Sequence, residues 1–215
     1  MGSTHDDWIA AIVLAAGMSR RMGTTKALLD FGGKPLIART IDSLRDASIH
    51  PTVIVTGHQP QAIESATAHL GVNFVQNERY ESGGMISSIQ TGVRSIAQAC
   101  DALFIVLGDH APPKPATLRA MSGAWRESPT AIVLPIFESK HGHPILISSS
   151  LAPEILALTE NLTLATIVKA HSQDSRDVIV DDPAILEDID TPEDYNRALQ
   201  RWARANMSGE QEHVR

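Results

Sequence analysis

The stretch Leu14-Ala15-Ala16-Gly17-Met18-Ser19-Arg20-Arg21-Met22-Gly23-Thr24-Thr25-Lys26 combines small residues with basic ones. Small side chains let a backbone approach a ligand closely, and free N–H groups can cradle phosphate oxygens. Arg20, Arg21 and Lys26 add charge. From Gly17 to Lys34 there are four basic residues and one acid, Asp30, in a chain whose net charge is −7. A positive loop on an acidic protein is what a polyphosphate site looks like. Two familiar phosphate loops are excluded by spacing. Two residues separate Gly23 from Lys26, so this is not Gly-x4-Gly-Lys-Ser/Thr, and no Gly-x-Gly-x-x-Gly occurs in it.

A second set of residues could hold a metal ion. Asp109 follows the apolar run Leu103–Leu107, and Asp190 precedes Thr191-Pro192-Glu193-Asp194. Two carboxylates from distant segments suit Mg²⁺, which takes oxygen ligands and completes its octahedron with waters and substrate phosphates. The same residues also suit plainer roles: Gly108-Asp109 as a turn, and Asp188 or Asp190 as a helix cap. His141-Gly142-His143, with His110 beside Asp109, opens an alternative, a zinc-dependent hydrolase using a metal-bound water. Asp188-Ile189-Asp190 is not the Asp-x-Asp of aspartyl-phosphate enzymes, because Pro192 stands where Thr or Val is wanted. Met85, Ile86 and Ile89 read as core. Cys100, just ahead of a strand, does not read as a catalytic thiol.

These residues must be carried by regular elements. Continuous apolar, β-branched runs predict strands at Ile9–Ala15, Thr52–Thr56, Val72–Val75, Ala102–Leu107, Thr130–Ile136, Pro144–Ile147 and Asp177–Val180. Helical spacing appears at Leu36, Ile37, Thr40, Ile41 and Leu44 behind Pro35, and again at Ile86, Ile89, Val93 and Ile96. Leu118 and Met121 indicate a third helix. Tyr195, Ala198, Leu199 and Trp202 indicate a last one, with Thr191 as cap and Pro192 in the first turn. Alternating strands and helices predict an α/β fold, with a mostly parallel mixed sheet between two helical layers. In such sheets ligands bind beyond the carboxyl ends of the strands, which singles out the loops after Ala15 and Leu107 and the turn before the last helix.

The 215 residues suit a single domain over 1–206, with a polar tail expected to be disordered from Met207. An excess of 25 acids over 18 bases argues against sequence-independent nucleic-acid binding. One cysteine excludes an intrachain disulfide framework. The longest apolar run, Trp8 to Gly17, has ten residues, whereas a membrane span needs about 20. Asp6 and Asp7 precede it where a signal peptide would carry Lys or Arg. A buried strand of a cytoplasmic protein, with no membrane partner, is the expectation.

Leu-Ala-Ala-Gly-x-Ser-x-Arg-Met-Gly-x-x-Lys resembles the signature of the MobA-like nucleotidyltransferases, and within them the molybdenum cofactor cytidylyltransferases. The likeness runs from about Ile12 to Leu199. It recurs at Gly84-Met85-Ile86-Ser87-Ser88, Gly108-Asp109, Gly142-His143-Pro144 and Asp188-Ile189-Asp190-Thr191-Pro192-Glu193-Asp194-Tyr195. The resemblance implies the Rossmann-like, three-layer α/β/α fold of nucleotide-diphospho-sugar transferases. It also implies transfer of CMP from Mg-CTP to a phosphorylated acceptor such as the molybdopterin cofactor, with a recipient molybdoenzyme or its chaperone as partner. It would put the nucleotide on Leu14, Ala15, Ala16, Gly17, Ser19, Arg20, Lys26 and Ser88. Arg21, Lys26 and Asp109 would be catalytic, Asp109 and Asp190 would bind Mg²⁺, and Gly142, His143 and Pro144 would face the acceptor. Ala16, where guanylyl-transferring relatives tend to have Gly, favours CTP. The chain departs from the pattern at two places. His110-Ala111 replaces the common Gln after Gly-Asp, and Glu160–Ala165 lacks the basic residue of a Gly-Asp-x-Gly-Ala-Arg stretch.

Overall fold

Strands covered on both faces must be apolar at every position, and the opening strand, β1 (Ile9–Ala15), is buried throughout. In the computed structural model, which describes residues 8–18 and 25–212 (side chains through 205), β1 lies inside an eight-stranded mixed sheet. Along the chain come α1 (Leu36–Asp46), β2 (Thr52–Thr56), α2 (Pro60–Thr67), β3 (Asn73–Gln76), α3 (Gly84–Ile96), β4 (Ala102–Leu107), α4 (Pro115–Glu127) and β5 (Ile132–Phe137). Then follow β6 (Lys140–His141), β7 (Ile145–Ser148), α5 (Ala152–Ala157), α6 (Leu164–Ala170), β8 (Ser175–Ile179) and α7 (Pro192–Glu212).

The strand order is β3-β2-β1-β4-β7-β5-β6, with β8 paired to β5. The β1–β2, β1–β4, β2–β3 and β5–β8 pairs are parallel; β7 runs antiparallel to both β4 and β5, and β6 antiparallel to β5. β1 divides its side chains between the two faces. Ala10, Ile12 and Leu14 enter one core with Ile86, Ile89 and Val93 of α3, while Ile9, Ala11, Val13 and Ala15 enter the other with Ile37, Ile41, Leu118 and Trp125 of α1 and α4. That is a three-layer α/β/α arrangement.

A smaller cluster fixes the far end of the chain. Phe31, Leu36, Ala111, Ile189 and Ala198 pack together with Tyr195 and Trp202 against them. Phe31 meets the rings of Tyr195 and Trp202 edge-on at 6.2 and 5.7 Å, and the Arg39 guanidinium lies 4.4 Å from the Trp202 ring centre. The start of α7 closes as a capping box. The Thr191 hydroxyl accepts from the Asp194 N–H at 3.1 Å, and the Asp194 carboxylate accepts from the Thr191 N–H at 3.0 Å. α7 continues as helix to Glu212. The buried carboxylate of Asp182 accepts from the Lys114 N–H (2.7 Å), the Thr117 hydroxyl (2.8 Å) and the Ala184 N–H (3.2 Å), tying this region to α4. Asp182→Ala leaves those donors unpaired and should cost about 2–4 kcal/mol of stability, read as a lower urea midpoint with an unchanged slope.

No helix among the described residues is long and apolar enough to cross a membrane.

Candidate active site

The carboxyl ends of β1 and β4 open onto a cleft of about 240 Å³. Leu14, Ala15, Ala16 and Gly17 form one wall, Gly84, Met85 and Ser88 at the start of α3 form another, and Thr25, Tyr80 and Asp109 line the remainder. The parallel strands end together here because β1 pairs in register with both neighbours, Leu14 opposite Leu107 and Ala15 opposite Thr56. Gly108 follows directly. Its N–H donates to the Leu14 carbonyl at 2.9 Å, and a Cβ there would sit 2.9 Å from the same oxygen, so only glycine lets the Asp109 turn lie this close to β1. Gly57, just after β2, plays the same part beside Ala16: a Cβ there would meet Tyr80 at 2.6 Å and Ala16 at 2.8 Å.

Lys26 stands in the 3₁₀ turn Lys26–Leu28, anchored by Ala27 in the core. Although 8 % exposed, it reaches two acids from distant parts of the chain. Its ammonium is 2.5 Å from Asp190 Oδ1 and 3.8 Å from Asp109 Oδ2. Asp109 comes from the end of β4, and Asp190 is held by its buried neighbour Ile189 and the capped start of α7. Asp188, two residues earlier, turns the other way and pairs with His110 Nδ1 at 3.2 Å. A cation therefore already sits between the two carboxylates, which tests the donor set directly: oxygen-only side chains that converge on one positive charge fit a hard divalent ion.

Ser88 is buried in the α3 end of the cleft, where Asn77 donates to both Ser87 Oγ (2.8 Å) and Ser88 Oγ (2.9 Å). Thr25 donates to Gln59 Oε1 at 2.8 Å, from a left-handed Gln59 that opens α2. Gly142 and His143 border a neighbouring cavity, and Pro144 is buried at its edge. Burial pushes the His143 imidazole below its usual pKa of 6.5, with His110 adding to the effect; the two rings lie 5.8 Å apart. A Cβ on Gly142 would collide with the Ile185 carbonyl, so Gly142→Ala must displace backbone. It should lower stability by about 1–3 kcal/mol, measured by thermal unfolding.

Several sequence expectations change here. Ser19, Arg20 and Arg21 lie outside the described residues. Met85 is not core: it is 60 % exposed and lines the cleft, while Ile86 and Ile89 are buried as expected. The zinc alternative finds no support in the placement of its histidines. His141 pairs with Asp177 at 2.8 Å, and no group of three or more His, Cys, Asp or Glu among the described residues is arranged to hold a metal. Burial raises the Cys100 thiol to about 11, which keeps it protonated and unreactive. Sequence reasoning missed Thr25, Gly57, Asn77 and Tyr80. Asn77 and Tyr80 carry one usable signal, since they follow a parallel strand where ligand loops gather.

Comparison with known proteins places this geometry in a family. The model of the MobA-like NTP transferase domain matches residues 11–175. The chain is 25% identical over 199 residues to the molybdenum cofactor cytidylyltransferase of Escherichia coli, covering 90% of this chain and 97% of that one. It is 27% identical over 211 residues to the nicotine blue oxidoreductase of Paenarthrobacter nicotinovorans, covering 93% and 100%. Among solved structures, Rv0371c from Mycobacterium tuberculosis H37Rv superposes with a TM-score of 0.80 at 28% identity, over 90% of this chain and 98% of that one. A manganese complex of the same Mycobacterium protein superposes at 0.75, with 25% identity and the same coverage. With the glycine-bearing loop after β1, the paired aspartates and the family match together, the chain belongs to the MobA-like NTP transferase family and is a nucleotidyltransferase.

Proposed function

We propose that the protein transfers CMP from Mg-CTP to a phosphorylated small molecule and releases pyrophosphate, with the molybdopterin cofactor as acceptor. The convergence of Lys26, Asp109 and Asp190 beside the small-residue loop is the observation that carries this reading. The E. coli relative's name supports the nucleotide and the acceptor. Ala16, which stands where guanylyl-transferring relatives tend to have Gly, supports CTP as well.

The acceptor phosphate is the nucleophile. A phosphate monoester has a second pKa near 6 and is largely dianionic at neutral pH, so no general base is required. Its oxygen forms a bond to the α-phosphorus as the bond to the β-phosphate oxygen breaks, and pyrophosphate carries the electron pair away. The obstacle is the approach of two anions. Asp109 and Asp190 would hold the divalent ion, which supplies charge neutralisation at the phosphates when bound. Lys26 would leave the carboxylates for the triphosphate, adding its charge where the leaving group develops its own. The N–H groups of Ala16 and Gly17 would position the nucleotide, and Ser88, oriented by Asn77, would contact the base. The product would pass to a recipient molybdoenzyme or its chaperone.

The test is pyrophosphate release from each Mg-NTP with the molybdopterin cofactor and with sugar and polyol phosphates. Turnover of CTP with molybdopterin, at least about tenfold above GTP, is expected. Preference for GTP overturns the nucleotide assignment. CTP binding without turnover on any acceptor would instead mark a non-catalytic nucleotide-binding module.

A further inference from the structure

The segments that carry Lys26, Asp109 and Asp190 meet a second time, away from the cleft. Phe31 follows Lys26 by five positions, Ala111 follows Asp109 by two, and Glu187 precedes Asp190 by three. All three residues line a cavity of about 100 Å³, bounded on another side by Ala198 and Trp202 of α7. The Ala111 N–H donates to the Glu187 carbonyl at 3.2 Å, so two of the segments are joined where they form its wall. Pro112, Pro183 and Ala184 extend that wall with apolar surface. Four charged side chains border the cavity, and each is engaged within the protein. Arg201 pairs with Glu187, Lys114 donates to the Asp181 carbonyl, and Asp182 accepts from Thr117 and from the Ala184 N–H.

We propose that this cavity is an effector site for a small uncharged aromatic molecule, one ring in size, whose binding steadies Asp109 and Asp190 for a divalent ion. The site itself stands apart from the nucleotidyl-transfer reading; its coupling to the ion rests on the assignment of those two carboxylates. Size limits the ligand, since an apolar cavity of about 150 Å³ takes a benzene ring. Phe31 and Trp202 favour an aromatic ligand, because ring pairs in offset or edge-on contact gain more than the area they bury. Charge is disfavoured. The ionic groups at the rim are already paired, so a charge on the ligand would lose water and gain no partner. The coupling follows from the lining. A ring held between Phe31, Ala111 and Glu187 adds contacts to the arrangement in which the three segments converge, and so favours that arrangement over others. Because linkage is reciprocal, an ion on Asp109 and Asp190 would favour the ring in turn.

Benzyl alcohol, benzoate and benzylamine form a probe series of one ring and three charges. Titration calorimetry on the full chain, without nucleotide, should show saturable binding of benzyl alcohol with a dissociation constant of about 1 mM or lower. The two ions should bind at least about tenfold more weakly. Ala205→Trp sets a ring at the cavity from an exposed position on α7 and should abolish benzyl alcohol binding. Ala184→Leu, from a different wall, should do the same, which keeps the test decisive if one variant fails to fold. Saturating benzyl alcohol should tighten manganese binding to the wild-type protein by about fivefold, read by electron paramagnetic resonance. No saturable binding, binding that survives both substitutions, an ion that matches the alcohol, or an unchanged manganese affinity would each overturn the proposal. Calorimetry decides the site whether or not an ion binds, so its failure is distinguishable from failure of the metal assignment and of the transfer reading.

Discussion

Asp109→Ala should lower the rate of pyrophosphate release from Mg-CTP by about 10²–10³-fold or more, as loss of one electrostatic contact to a developing charge typically does. The fold should not change. The Asp109 side chain is 41% exposed, its resolved partner is Lys26 at 3.8 Å, and the turn that carries it is secured by the Gly108 N–H rather than by the carboxylate. A coupled pyrophosphate assay beside a thermal melt separates the two effects. Near-native turnover would remove Asp109 from the chemistry, and a collapsed melt would show that the turn depends on the side chain after all.

Lys26→Ala should produce opposite changes in two affinities. CTP binding, measured by calorimetry, should weaken by about 10–100-fold, because a charged hydrogen bond to the phosphates is lost. Divalent-ion binding to the nucleotide-free protein should strengthen, because the ammonium that now lies between Asp109 and Asp190 is gone. Manganese is a convenient ion, since its free and bound forms are distinguished by electron paramagnetic resonance. Unchanged CTP affinity argues against the loop as the phosphate site. Unchanged manganese affinity argues that the two carboxylates do not share an ion. Salt should weaken the wild-type Lys26 contacts less than those of exposed pairs such as Arg45–Asp42, because Lys26 is buried.

The parts of the fold readable from sequence are those where burial acts on every residue of an element. β1, β2 and β4 begin and end where their apolar runs do, since strands covered on both faces tolerate no polar interruption. β3, β5, β7 and β8 are displaced by one to a few residues from the apolar runs that predict them, because one or both of their ends are partly exposed. The two-residue β6 was not visible, because Lys140 and His141 are exposed and paired only by the turn at Glu138 and Ser139. α2, α5 and α6 were also missed. They are short and bury few residues each, too few to set a period.

In the site, spacing along the chain singles out Ala15 to Gly17 and Gly108-Asp109, which follow strands, and Asp190, which precedes a helix. Their neighbourhood follows from topology, because β1 and β4 are adjacent and parallel although 93 positions separate Ile9 from Ala102. What spacing alone does not explain is why Asp190, the acid that the family motif singles out, and not Asp188, faces Lys26. That depends on Ile189, whose burial against Phe31 and Ala198 turns Asp188 toward His110 and Asp190 toward the lysine. Nor could it show that Met85 is exposed, since a methionine at the first turn of an apolar helix face looks like core until the cleft beside it is seen.

Anomalous scattering from crystals grown with manganese and a non-hydrolysable CTP analogue bears most directly on the chemistry. A single strong peak bonded to one oxygen each of Asp109 and Asp190 and to the analogue's phosphates, with Lys26 moved onto the triphosphate, is the predicted result. A peak elsewhere, or nucleotide bound away from Ala15–Gly17 with Lys26 still between the two aspartates, would contradict it.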